Sequence, residues 1–502
     1  MKYVSTRSKT KPISSAEAIL QGLAADGGLF VPEKIPKVTL DEIGALVDKT
    51  YEQRAAWLLG KYLTDYTPEE LGECTELAYN WFDVPNRVPV MILIQDPDDP
   101  VAPVGSMELW HGPTSAFKDI ALQMLPRLMS LALKKVGETK TILILVATSG
   151  DTGKAALAGF ADVPQTKVMV FYPDGGVSKI QRLQMVTQRG DNVNVTAVRG
   201  NFDDAQTGVK KIFGDKVINY ELDKLGVKLS SANSINWGRL VPQIAYYFSG
   251  YVEMIQAKQI KLGDKIHISV PTGNFGNILA AYYALKMGLP VSKLICASNI
   301  NNVLTEFFVF GTYNRNRDFF RTITPSMDIL ISSNLERLLY HESGGDCKQV
   351  SRYMKDLAER GKYKIEHKLK ERLDKIFIAE YITEDETKLF IKRVYDSFKY
   401  LMDTHTAVSV AALSKYRGRT NDFTPVLSAS TASPYKFTGA VLEALEQSTD
   451  GVDDLAQLEQ LNTLTGVRIP RNLAELSSAK ILHTDVCNPE EMASRVLAFA
   501  EG

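Results

Sequence analysis

Apolar and polar positions alternate in two different ways along this chain. Residues 39–63, TLDEIGALVDKTYEQRAAWLLGKYL, repeat apolar side chains every three or four positions, the stripe of a helix packed on one face. Thr39 to Asp41 supply N-cap chemistry at its start. The preceding GLAADGGLFVPEKIP is loop-like, punctuated by Gly27, Gly28 and two prolines. Residues 1–95 are therefore expected to form a mainly helical N-terminal domain.

Beyond this point the texture changes. VMILIQD, TILILVATSGD, KVMVFYPDGG, NVNVTAVRG, KIHISVPTGN, KLICASN and TPVLSAS are short runs, several of them apolar without alternation. Strands covered on both faces have that signature. Helix-like stretches lie between them: DIALQMLPRLMSLALKK, KAALAGFAD and IQRLQMVTQRG. Strands alternating with helices predict an α/β fold with parallel sheets and helices on both sides. Two such halves are expected, at 96–250 and 251–440. Residues 312–405 interrupt the second half with charge-rich sequence, read as a solvated helical insertion. Residues 441–502 read as a C-terminal segment packed on the core.

The 502 residues exceed one ordinary core, which agrees with several domains. A net charge of −1 removes any electrostatic reason to expect nucleic acid or an anionic membrane as partner. Any anion site must therefore be local. The four cysteines are scattered and form no CxxC pair, and the six histidines show no HExxH spacing, so neither a disulfide framework nor a metal site is expected. The opening MKYVSTRSKTKPISS has no apolar h-region and no run approaches a membrane span, so a cytoplasmic protein is expected.

Three loops after predicted strands carry candidate chemistry. In ATSGDTGKAA (147–156) a Ser-Gly-Asp-Thr-Gly turn opens onto alanines, where ligands bind in open parallel sheets. It is not a Walker A loop: Gly150 and Gly153 enclose only two residues, and Ala155 follows Lys154 where a hydroxyl is needed. In PTGNFGNILAAYYA (271–284), Gly273 and Gly276 permit backbone conformations closed to other residues, so successive N–H groups can curl around an anion. Asn274 and Asn277 add amide donors, and the following helix directs its positive end there. In SASTASPYKF (428–437), small hydroxyl residues at a strand end can reach a flat ring. Taken singly, each loop also fits a plain turn.

One further stretch, LWHGPTSAFKDIALQM (109–124), places Lys118 at a helix start. A lysine amine, a phosphate cup without arginines and a ring-facing hydroxyl are together what pyridoxal 5′-phosphate requires. An ordinary lysine has a pKa of about 10.4. Desolvation and nearby N–H groups lower it and favour the free amine. Asp119 reads as a first-turn residue, His111 as a structural histidine, and Arg239 as either an anion ligand or the partner of a carboxylate.

The chain resembles the threonine synthase family, fold-type II pyridoxal-phosphate enzymes with a tryptophan synthase β-like fold, in its longer bacterial and fungal form. The matching stretches are GLAADGGLFVPE, ELWHGPTSAFKD, ATSGDTGKAA, NSINWGRLVPQ, PTGNFGN, TPSMDILISSNLERLL and SASTASPYKF. The resemblance puts the cofactor-bonding lysine at Lys118, the phosphate-binding run at Gly273, Asn274, Phe275, Gly276 and Asn277, and the hydroxyl for the pyridine nitrogen at Thr431. It puts Ser149, Asp151 and Thr152 along the cofactor or the substrate carboxylate. Many relatives across the wider fold have Asn where this chain has Asp151. The implied activity is conversion of O-phospho-L-homoserine and water to L-threonine and phosphate, by a monomer or homodimer. Two alternatives stay open: a pyridoxal-phosphate lyase or dehydratase releasing a 2-oxo acid, and an inactive homologue that binds a phosphate metabolite.

Overall fold

In the computed structural model, which describes residues 1–93, 103–148 and 150–502, the unalternating runs form strands. Thr141–Ala147 shows why they need no polar face. Ile142 and Ile144 face one hydrophobic cluster, while Leu143 and Leu145 face another on the opposite side. This strand lies in an all-parallel five-stranded sheet of spatial order Asp485–Cys487, Val193–Val198, Thr166–Pro173, Thr141–Ala147, Val227–Ser230. A six-stranded sheet has the order Phe377–Tyr381, Val291–Ser298, Ile266–Pro271, Val426–Ser430, Val104–Glu108, Val90–Leu93. Its pairs are parallel except the last, which is antiparallel. The expected two-sheet α/β architecture is therefore present.

Sheet membership crosses the expected segment boundaries. Val90–Leu93 and Val104–Glu108 precede the lysine helix yet join the six-stranded sheet, and Asp485–Cys487 brings the C-terminal segment into the five-stranded one. Several elements also differ from their sequence patterns. The stripe at 39–63 breaks into two helices, Leu40–Gly44 and Tyr51–Tyr62. Each has its own capping box, at Thr39 and Thr50, and a second cap restarts the helix in another direction. The insertion at 312–405 is not wholly helical. It contributes the edge strand Phe377–Tyr381 and an antiparallel pair, Thr312–Asn314 with Lys362–Lys364. Four-residue VKLS and three-residue DVC are too short to carry a period, so the strands at 227–230 and 485–487 leave no signal.

Helices cover both sheets, and two of them frame the seam between the sheets. Lys118–Val136 packs against Asp151–Phe160, and Gly159 makes that approach possible. A Cβ at Gly159 would lie 2.0 Å from the Leu122 carbonyl oxygen. Loops following Val104–Glu108, Thr141–Ala147, Ile266–Pro271 and Val426–Ser430 all leave the C-terminal ends of their strands, where open α/β sheets bind ligands. Among the described residues, no helix is long and apolar enough to cross a membrane.

Gly159→Ala tests the helix contact. The contact is with backbone, so the helices must separate, and overpacking of this kind costs about 1–3 kcal/mol. The substitution is expected to lower the urea unfolding midpoint despite alanine's higher helix propensity. An unchanged or raised midpoint would refute the close approach.

Candidate active site

Lys118 is the first residue of its helix, entered through a turn in which Ser115 takes φ 59°. That turn is tied down from inside. Buried Asp119 accepts the backbone N–H of Thr114 at 2.8 Å and the Thr114 hydroxyl at 2.7 Å. Burial pushes the Asp119 carboxyl up to about 6, against the pull of those bonds. A Cβ at Gly112 would lie 2.5 Å from the Asp119 Cβ, so the loop closes only over glycine. Asp119 thus fastens the loop, a stronger part than that of a first-turn residue. His111 bridges two carboxylates, Asp83 at 2.8 Å and Glu108 at 2.7 Å, as a structural histidine does.

The loops singled out by sequence converge on Lys118. The Phe117 N–H donates to the Thr431 carbonyl at 2.8 Å, and Ala116 bridges Ala432, so the hydroxyl-rich strand end runs beside the lysine. Asp151 opens the helix after the Ser-Gly-Asp-Thr-Gly turn, and its Oδ2 lies 3.7 Å from Lys118 Nζ. Lys118 Nζ also donates to Ser326 Oγ at 3.3 Å. Thr152 follows in the first helical turn, partly exposed. Ser149 lies outside the described residues. Burial lowers the Lys118 amine from its ordinary range; Asp151 opposes this, while Lys436 and Arg239 assist it.

The cup at 273–277 differs from its expected construction. Neither Gly273 nor Gly276 has positive φ; the left-handed residue is Phe275, at φ 64°. Its ring is buried against Phe308 and Phe377, which anchors a conformation unusual for a bulky residue. Gly273 is needed for space, because a Cβ there would sit 2.3 Å from the Ser326 carbonyl oxygen. The same residue that accepts from Lys118 thus closes over the cup. Ser332 Oγ donates to the Gly273 carbonyl at 2.7 Å, and Asn334 N–H to the Asn274 carbonyl at 3.1 Å, so those carbonyls are turned outward. Asn277 Oδ1 accepts from Tyr246 at 2.6 Å and from Tyr247, while its buried Nδ2 has no hydrogen-bond partner among the described residues. A buried unsatisfied donor at a helix N-terminus suits a phosphate oxygen.

Four residues beyond the expected set complete the site. Lys436, wholly buried, sits 2.6 Å from Asp151 Oδ1. Burial alone would raise the Asp151 carboxyl, but Lys436 and then Lys118 hold it well below the usual carboxylate range. Ser326 donates its N–H to His405 Nε2 at 3.2 Å, and His405 Nδ1 meets Asp403 at 2.8 Å, so the Asp403–His405 pair holds the Ser326 turn over the cup. Lys436 stood within a quoted motif and Ser326 within another; His405 and Asp403, at a helix start far along the chain, had no local signal. Arg239, read from sequence as either an anion ligand or a carboxylate's partner, is buried and bears on Lys118. Among the described residues no carboxylate pairs with it; Nη1 donates to the Ala232 carbonyl at 2.7 Å, and buried Nε has no partner. Burial brings the guanidinium down to about 10. A cleft of about 360 Å³ adjoins Lys436, lined also by Gln181, Thr322, Phe437 and Thr438.

Known proteins are similar to this chain over most of its length. Residues 2–79 match the family described as threonine synthase N terminus, 107–368 the pyridoxal-phosphate dependent enzymes, and 406–478 the threonine synthase C-terminal family. Human threonine synthase-like 1 is 40% identical over 442 residues, covering 86% of this chain and 58% of that protein. The chain thus spans little more than half the length of that relative. Threonine synthase of Saccharomyces cerevisiae is 38% identical over 469 residues, covering 88% of this chain and 89% of the yeast protein. A crystal structure of pyridoxal-phosphate-bound threonine synthase from Brucella melitensis superimposes with a TM-score of 0.87 at 34% identity, over 100% of both chains. This chain belongs to the threonine synthase family of pyridoxal-phosphate-dependent enzymes.

Proposed function

We propose that this protein converts O-phospho-L-homoserine and water to L-threonine and phosphate with pyridoxal 5′-phosphate. The observation that carries the reading is a largely buried amine, Lys118, brought beside a backbone anion cup and a buried guanidinium with no carboxylate partner among the described residues. Gly273, Asn274, Phe275, Gly276 and Asn277 would hold the cofactor phosphate, Lys118 its aldehyde, and Thr431 its ring nitrogen. The cofactor supplies an electron sink for negative charge beside the amino group of a joined amino acid.

The chain's own groups account for the remaining requirements. Lys118 Nζ would be the base that takes the α proton and then a β proton, and the acid that returns protons to the γ and α carbons. A buried lysine with a lowered pKa is suited to both directions at neutral pH. Phosphate leaves from the γ carbon and water adds at the β carbon, so the reaction consumes one water and releases one phosphate. Arg239 receives an anionic group of the substrate, which supplies the counter-charge its own fold withholds. Asp151 and Thr152, together with Ser149 in the same sequence motif, would meet the substrate carboxylate or the cofactor.

Incubation with O-phosphohomoserine in heavy-oxygen water is expected to yield threonine labelled at its hydroxyl, with free phosphate, by mass spectrometry. A 2-oxo acid as main product would replace this reading with a lyase. Lys118→Ala is expected to lower turnover by about 10³-fold or more, since it removes both the covalent anchor and the proton carrier. Arg239→Gln is expected to raise KM about 10-fold or more, the loss of a charge-assisted hydrogen bond. An unchanged KM would remove Arg239 from the substrate site.

A further inference from the structure

Lys436 has no part in the reaction as derived, yet its ammonium is fully enclosed at the seam. Its side chain is 0% exposed, and three acceptors surround Nζ: Asp151 Oδ1 at 2.6 Å, the Thr114 carbonyl at 3.0 Å and Gln184 Oε1 at 3.1 Å. An ammonium has three N–H donors, so none is left over for a ligand. The acceptors come from three elements: the turn before Lys118, the Asp151 helix, and the helix Lys179–Val186. Asp151 faces the other way with its second oxygen, 3.7 Å from Lys118.

We propose that Lys436 is a positioning residue that serves as the counter-ion of Asp151, and thereby releases Lys118 from that duty so its amine can be neutral. A buried carboxylate left without a counter-charge or enough hydrogen bonds is strongly unfavourable, and Asp151 has two cations near it. Were Lys118 the only cation within reach, Asp151 would hold it as ammonium, which cannot attack an aldehyde or take a proton. With Lys436 bonded to Oδ1, the Asp151–Lys436 pair carries no net charge, and repulsion from Lys436 offsets part of the attraction that Lys118 feels toward Oδ2. The row reads cation, anion, amine. The inference rests on the functional reading for its purpose, but its physical content concerns only these side chains.

The other charged groups bearing on this row are accounted for. Arg239, from helix Trp237–Gln256, bears on Lys118 and disfavours its ammonium form. His405, from Thr404–Thr420, bears on Asp151. Asp119 and Lys154 bear on Lys436's surroundings without touching Lys118 Nζ. All of them remain in the variants below, so differences report the pair alone.

Full-length protein freed of cofactor is labelled with trace acetic anhydride from about pH 5 to about pH 11. The labelling of the Lys118 peptide is then followed by mass spectrometry. Lys436→Met is expected to raise the apparent pKa of Lys118 by about one pH unit or more, and Asp151→Asn to lower it by a similar amount, as removal of a near cation or anion does. Lys436→Arg restores the wild-type value. Loosening of the pocket would admit water and raise the value in both variants, so shifts in the same direction, or none, overturn the inference. If Lys436→Met does not fold, the double variant Asp151→Asn/Lys436→Met, which buries no lone carboxylate, is read against Asp151→Asn. A rise on removing Lys436 supports the inference, and no rise overturns it. Failure of pyridoxal phosphate to bind wild-type protein would defeat the functional reading and leave this titration standing.

Discussion

Two lysines lie against one buried carboxylate at the seam between the sheets, and the geometry of the site depends on how that carboxylate is shared. Asp151 stands at the start of a helix from the five-stranded sheet, while Lys436 and Lys118 leave strands of the six-stranded one. An ion pair excluded from water is strong because little solvent competes with it, and costly to leave incomplete. It therefore ties the two sheets together at this point. Asp119 plays the same part within the lysine turn, where its carboxylate substitutes for solvent at Thr114.

Around this row, the places suited to an anion are made from backbone and from a guanidinium with no carboxylate partner among the described residues. The cup owes its shape to close approach more than to glycine's torsional freedom. Gly273 makes room for Ser326, and Phe275, held by its ring in the core, takes the left-handed turn. The Asp403–His405 pair fixes Ser326 from behind, so the turn that accepts from Lys118 and the wall of the cup are one piece. Arg239 is enclosed without a carboxylate among the described residues, an arrangement stable chiefly when an anion arrives. A chain of net charge −1 thus has, in the loop at 273–277 and at Arg239, two places suited to an anion.

Much of this was legible in the sequence. Unalternating apolar runs announced parallel strands, and the Gly, Ser and Asn clusters after them marked the strand ends where ligands bind. Lys118 stood out because an amine, a cup and a hydroxyl suit one cofactor. Short strands such as Val227–Ser230 did not show, since four residues cannot display a period, and the break at 45–50 hid inside a stripe that looked continuous. The roles of the cup glycines were misjudged because torsion and space both select glycine, and only neighbours tell them apart.

The sequence by itself determined the fold class, the strand-end loops and the candidate amine, because periodicity, turn chemistry and residue type are local properties. Only the tertiary structure decided which charges pair. Asp151, Lys436, Arg239 and His405 lie up to 285 positions apart (436 minus 151), and whether a buried ion meets a counter-ion, a hydroxyl or nothing depends on that long-range closure. Electrostatic energy in a protein interior is set by distances of a few ångströms and by exclusion of water, and neither is written in any short stretch of chain.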